Sequence, residues 1–141
     1  MIKDVVENLI KKYKTNCPFT LAKKLNIIVL YEDLGGTMGY FSKDFRFKFI
    51  HINQSLDKRE STFTCAHELG HAVQHHDVST PFLKRHTLFS IDKVEREANT
   101  FAVELLLPDT LLQEHADCSL FNIGKTVGIP GKLIKLKSQF K

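Results

Sequence analysis

Residues 65–77 read CAHELGHAVQHHD, which places four of the chain's seven histidines within thirteen positions and Glu68 directly after the first of them. His67 and His71 are four apart, so on a helix of about 3.6 residues per turn they stack on one face, one turn apart. Both imidazoles can then reach a single metal ion. Glu68 projects about 100° around the helix from His67, close enough to touch a water on that ion but badly placed to ligate beside both histidines. Its natural role is general base. Five-residue patterns of this kind also arise in unrelated proteins, where the histidines only decorate a solvated face, so a third ligand has to decide the matter.

Asp77 is one alternative for that ligand, since it stands where a His-Glu-x-x-His-x-x-Gly-x-x-His arrangement has its last histidine. The turn-forming glycine of that arrangement is replaced here by Gln74. His75 and His76 follow His71 too closely on one helix to join it around a tetrahedral ion. They are expected at the surface, or one of them beside a substrate. The stronger candidate is a carboxylate on the following helix, as in zinc sites built from two histidines and one glutamate. In VEREANTFAVELLLP (residues 94–108) Glu95 is followed one turn later by Asn99, which predicts Glu95 as ligand and Asn99 as a supporting group that either hydrogen-bonds a ligand histidine or fixes the local backbone. Glu97 lies about 200° and Glu104 about 180° around the helix from Glu95, so both are expected to face elsewhere. Between His71 and Glu95 the chain is long enough for one loop and a returning helix, and Ala98, Phe101, Ala102, Leu105 and Leu106 supply that helix with an apolar face.

Outward from this core, Val5, Val6, Leu9, Ile10 and Tyr13 recur at helical spacing over residues 2–14, and a second short helix is expected from Pro18. IIVLYE (27–32) reads as a strand, and the glycines of DLGGTMG (33–39) as turns. In YFSKDFRFKFIHIN (40–53) the residues Phe45, Phe47, Phe49 and His51 alternate with Arg46, Lys48, Ile50 and Ile52, with SKD (42–44) as the hairpin turn. The expectation is an α+β fold whose small three-stranded sheet over residues 27–53 is mainly antiparallel. A loop is expected from Asp77 to about Ile91. Asp92 is expected to cap the helix carrying Glu95, which stops before Pro108, and Asp109 to cap another short helix. Two further helices, about 119–127 and 131–140, end the chain.

The length of 141 residues predicts a single domain spanning 1–141. The hydrophobic fraction of 43% and charged fraction of 26% are those of a globular chain and argue against disorder. The formal charge of +4 is concentrated in GKLIKLKSQFK (131–141) and reads as a solvated basic tail. The N-terminal segment mixes acids with bases and lacks the apolar core of a signal peptide. No apolar run is long enough for a bilayer, so the expected location is cytoplasmic. Cys17, Cys65 and Cys118 are odd in number and far apart, which excludes a disulfide framework and a thiolate metal site and predicts small buried thiols. LFNIGKTVGIPGKLIKLKSQF (120–140) has the loose cadence of a helix-turn-helix, the basis of a weaker reading as a DNA-binding module; direct nucleic-acid binding is not expected.

HELGHAVQHH followed by EREANTFAVELLLP, with CPFTLAKKLNIIV (17–29) upstream, resembles the ImmA/IrrE family of metallopeptidases over roughly residues 15–112. The pairing of the two motifs in this order is specific, where either alone is weak. The resemblance implies a zincin-like (thermolysin-like) core with an active-site helix, a glutamate-bearing helix, a small sheet and a helical C-terminus. It implies one zinc ion on His67, His71 and Glu95, with Glu68 catalytic. It further implies an endopeptidase of the ImmA-like, prophage or mobile-element type, whose protein substrate is a helix-turn-helix repressor. A zinc-containing protein that binds the repressor without cleaving it is the alternative. Tyr40, His51, His76 and His86 are unranked candidates for a donor to the oxyanion, and an exposed edge among the strands of residues 37–52 is a candidate substrate-binding edge.

Overall fold

The helix that carries the histidines starts where its first residues satisfy their own amides. In the computed structural model, which describes residues 1–75 and 91–137, the Asp57 carboxylate accepts from the Glu60 amide at 2.8 Å and Glu60 accepts from the Asp57 amide at 3.2 Å. This reciprocal capping box ends the preceding turn and launches a helix over Lys58–Gln74. The element order is α1 (Ile2–Tyr13), α2 (Pro18–Lys24), β1 (Ile27–Glu32), β2 (Gly39–Asp44), β3 (Phe47–Asn53), α3 (Lys58–Gln74), α4 (Ile91–Leu106), α5 (Asp109–Glu114), α6 (Leu120–Thr126) and a 3-10 turn over Gly131–Leu136.

The core is the seam between α3 and α4, roofed by the sheet. Ala98, Phe101, Ala102 and Leu105 are fully buried and Leu106 nearly so, as the apolar spacing of the helix predicts. They meet Cys65, Ala66, Leu69 and Ala72 of α3, and Phe41, Ile50 and Ile52 close the layer from the sheet. At about 1.5–3 kcal/mol for each large apolar side chain removed from water, this interface outweighs any single polar contact in holding α3 against α4. Among the described residues no helix is long and apolar enough to cross a membrane.

The sheet has the order β1-β3-β2 and is mixed, which corrects the mainly antiparallel expectation. β2 pairs with β3 antiparallel, with Tyr40 opposite His51 and Asp44 opposite Phe47, whereas β1 pairs with β3 parallel, with Leu30 opposite His51. The reason is loop length. Only Phe45 and Arg46 separate β2 from β3, so those strands must be antiparallel neighbours. The segment 33–38 is long enough to step across the end of β3, leaving β1 on its far side and parallel to it. Ser42, Lys43 and Asp44 continue the ladder rather than forming the turn. The turn falls at Phe45, which takes φ 55° and is 91% exposed.

Several end-of-element expectations change as well. Asp92 lies inside the first turn of α4, where a negative charge suits the helix dipole, rather than before it. Asp109 is the first residue of α5 and makes no capping bond. Its carboxylate instead pairs with Lys3 at 2.8 Å and Lys137 at 2.9 Å. Residues 131–136 form a 3-10 turn where a longer helix was expected. Lys137, expected in a solvated tail, is buried and meets Glu104 at 2.6 Å, because the turn after Pro130 folds the chain back onto α4. Of the three thiols only Cys65 is fully buried; Cys17 is half-buried and Cys118 exposed.

Candidate metal centre

α3 and α4 approach each other closely where α3 carries a glycine. A Cβ on Gly70 would lie 3.0 Å from Phe101 Cβ and 3.1 Å from the Ala98 carbonyl oxygen, so glycine is what allows the two backbones this close an approach. That approach brings Glu95, from the first turns of α4, onto the histidine face of α3. Glu95 Oε2 lies 3.0 Å from His67 Nε2 and Oε1 lies 3.0 Å from His71 Nε2. The candidate ligand atoms of the three residues all fall within 4.8 Å of one another. His71 is fully buried, His67 nearly so, and Glu95 is one-third exposed.

The donor set fits a divalent metal. Metal–ligand bonds of about 2.1 Å in a tetrahedral site separate neighbouring ligand atoms by about 3.4 Å, a value between the 3.0 Å contacts and the 4.8 Å limit found here. Two imidazole nitrogens and a carboxylate are also the ligand chemistry that zinc accepts. The electrostatics agree. Burial opposes ionisation of Glu95, but the hydrogen bonds with His67 and His71 outweigh it and hold the carboxyl well below the usual range. Burial likewise disfavours a charged His67, yet the hydrogen bond to Glu95 and the charges of Glu68 and Glu95 lift its pKa above the ordinary histidine value.

Around these three, Glu68 is buried with its Oε2 3.9 Å from His67 Nε2, outside the triangle of His67, His71 and Glu95 as the 100° offset predicts. Asn99 Oδ1 lies 2.7 Å from His67 Nδ1, a hydrogen bond to a candidate ligand and one of the two roles expected of it. His75 departs from expectation. Expected at the surface, it is mostly buried, with Nδ1 3.3 Å from His71 Nδ1 and Nε2 3.2 Å from Glu97 Oε1. Burial lowers its pKa, against the pull of Glu97. The i,i+4 spacing from His71 is the signal for this contact, which makes His75 a neighbour of the candidate ligand His71. Glu97 does face away from the three converging side chains, but toward His75 rather than into solvent. Glu104 lies apart from the site, paired with Lys137. His76, Asp77 and His86 lie outside the described residues.

A groove of about 380 Å³ opens on His67, Glu68, Glu95 and Asn99, with residues 36–39 at the start of β2 forming its other wall. Gly39 is tight against both β3 and α3: a Cβ there would fall 2.5 Å from the His51 carbonyl oxygen and 2.6 Å from Thr64 Cγ2. Tyr40 and His51, two of the candidate oxyanion donors, do not border this groove. Strand alternation turns Phe41, Ile50 and Ile52 inward and sends Tyr40 and His51 to the opposite face, where their rings stack at 4.1 Å. His51 is engaged there by Glu32 at 2.5 Å and Ser42 at 2.8 Å.

The sequence profile of the IrrE N-terminal-like domain, peptidase family M78, matches residues 22–123. The chain is 49% identical over 140 residues to the uncharacterised immunity region protein 2 of Bacillus phage phi105, covering 97% of this chain and 89% of that protein. It is 35% identical over 115 residues to the metallopeptidase ImmA of Bacillus subtilis, covering 80% of this chain and 67% of that protein. The matched region contains both helices of the histidine-glutamate cluster. The chain is therefore a member of the ImmA/IrrE family, with the IrrE N-terminal-like domain of the M78 metallopeptidases.

Proposed function

We propose that the protein is a zinc-dependent endopeptidase with a zincin-like core, and that it cleaves a helix-turn-helix repressor of a phage or mobile element. The observation that carries the catalytic part is the convergence of His67, His71 and Glu95, with the buried carboxylate of Glu68 beside them and a groove in front. Membership of a metallopeptidase family and similarity to an immunity region protein support the choice of reaction and of substrate class.

His67, His71 and Glu95 would hold the ion. Bound zinc supplies Lewis acidity and lowers the pKa of water at the site. Glu68 accepts the proton of the attacking water and then delivers it to the amine of the departing peptide, as its position outside the ligand triangle allows. Asn99 accepts from His67 Nδ1–H, which leaves the Nε2 lone pair free to ligate. The strand β2, beginning at the groove wall, offers an extended backbone beside which a peptide can be laid. No donor to the oxyanion is assigned.

The test is incubation of the purified chain with the transcriptional regulator encoded beside it, with and without chelator, followed by mass spectrometry of the fragments. Cleavage abolished by chelator is the expected result. Glu68→Gln should retain zinc and lose cleavage by several orders of magnitude, since it keeps the shape and removes the base. Cleavage by Glu68→Gln at the wild-type rate would overturn the mechanism. Zinc-dependent binding of the regulator without fragments would favour a repressor-binding protein instead.

A further inference from the structure

An imidazole can bind a metal through one ring nitrogen only when its proton sits on the other. Nε2 of both His67 and His71 faces Glu95, so each ring needs its proton on Nδ1 and an acceptor there. His67 meets an amide oxygen, which can only accept. His71 meets another histidine, whose Nδ1 can accept or donate, and nothing within that pair sets the direction.

Glu97 sets it. Its carboxylate can only accept, so in neutral His75 the proton belongs on Nε2, donated to Glu97 Oε1 across 3.2 Å. His75 Nδ1 is then a lone pair. It accepts from His71 Nδ1–H, and the His71 Nε2 lone pair is left pointing toward Glu95 and His67. The elements make this row without strain. His75 closes α3 one turn beyond His71, so the rings lie 5.3 Å apart. Glu95 and Glu97 stand two apart on α4 and reach the row at His71 and His75 respectively.

We propose that Glu97 and His75 form a positioning relay that holds His71 in the Nδ1–H tautomer, with Nε2 aimed at the metal. The proposal deepens the metal-site reading above and rests on it. A histidine and a glutamate that merely share a surface would have no consequence for metal affinity; these two complete on His71 what Asn99 does alone on His67.

Zinc affinity of the full chain, stripped of metal and titrated in competition with a chromogenic chelator, tests it without any activity assay. His75→Ala should weaken zinc by about 10- to 100-fold, the usual loss when a ligand histidine loses its outer partner. Glu97→Ala should also weaken it. His75→Asn should largely restore affinity, because the asparagine Oδ1 stands where the imidazole Nδ1 stood and can only accept. In the His75→Asn background Glu97→Ala should then cost nothing, a coupling that a packing role would not produce. Unchanged affinity in His75→Ala overturns the relay, as does an equal cost of Glu97→Ala in both backgrounds. Should His75→Ala fold poorly, the comparison of Glu97→Ala in the two backgrounds carries the test alone. A wild type that binds zinc tightly and cleaves nothing overturns the peptidase reading and leaves the relay standing; a wild type that binds no zinc overturns both.

Discussion

Gly70 lies inside the His-Glu-x-x-His motif as one of its unspecified positions, yet the packing leaves it little freedom to change. Its missing Cβ is what lets Ala98 and Phe101 of α4 sit against α3, and the atoms in the way are backbone and a Cβ, which cannot swing aside. Gly70→Ala would gain some helix propensity, about 1 kcal/mol. Overpacking a closed interface costs about 1–3 kcal/mol, which should outweigh that gain. We expect a lower Tm and weaker zinc binding, because parting the helices also draws Glu95 away from His67 and His71. Calorimetry and chelator competition on one protein sample check both, and an unchanged Tm would show that the seam can open without cost.

At the scale of elements, the charged cluster at the start of α5 ties together parts that are distant in sequence. Asp109 pairs with Lys3 of α1 and with Lys137 after the 3-10 turn, and Lys137 also meets Glu104 of α4. Burial opposes ionisation of Asp109, but the ammonium groups of Lys3 and Lys137 beside it outweigh burial and depress the pKa below the ordinary 3.8. A carboxyl whose folded pKa is depressed contributes stability that is fully present above the unfolded value and is lost as pH falls through the folded one. Asp109→Asn should therefore cost about 1–3 kcal/mol at pH 7, the range for depriving a buried polar group, here the Lys137 ammonium, of a partner. The gap from wild type should narrow as the pH falls below about 4, where Asp109 itself takes up a proton. Urea unfolding at pH 7 and in acid measures this; a gap independent of pH would place the stabilisation in packing rather than charge.

For the whole molecule, the histidine-glutamate cluster joins two helices that belong to one core, so metal and fold should be linked. A metal that binds only the native state stabilises it by about 2.7 kcal/mol when free metal stands a hundredfold above its Kd. Adding zinc to stripped protein should raise Tm by several degrees, given about 2–4 °C per kcal/mol for domains near this size. His71→Ala should remove most of that rise. A zinc-induced shift of the same size in His71→Ala would mean that the stabilising ion binds elsewhere.

Local spacing determines much of this protein. The i,i+4 pair His67 and His71, the offset of Glu68, and the turn-apart pair Glu95 and Asn99 follow from helix geometry, which needs no knowledge of neighbours. The apolar face of α4 is legible for the same reason. Strand direction is not, because the alternation of residues 45–52 is the same in parallel and antiparallel sheets, and only the two-residue turn and the longer segment 33–38 separate them. Nor can spacing show that Tyr40 and His51 face away from the groove, that Lys137 is buried, or that His75 meets Glu97. Those facts depend on which elements pack together, through contacts 22 residues apart for His75 and Glu97 and 33 for Glu104 and Lys137. Periodicity places a side chain on its own helix or strand, and only tertiary packing supplies what it faces.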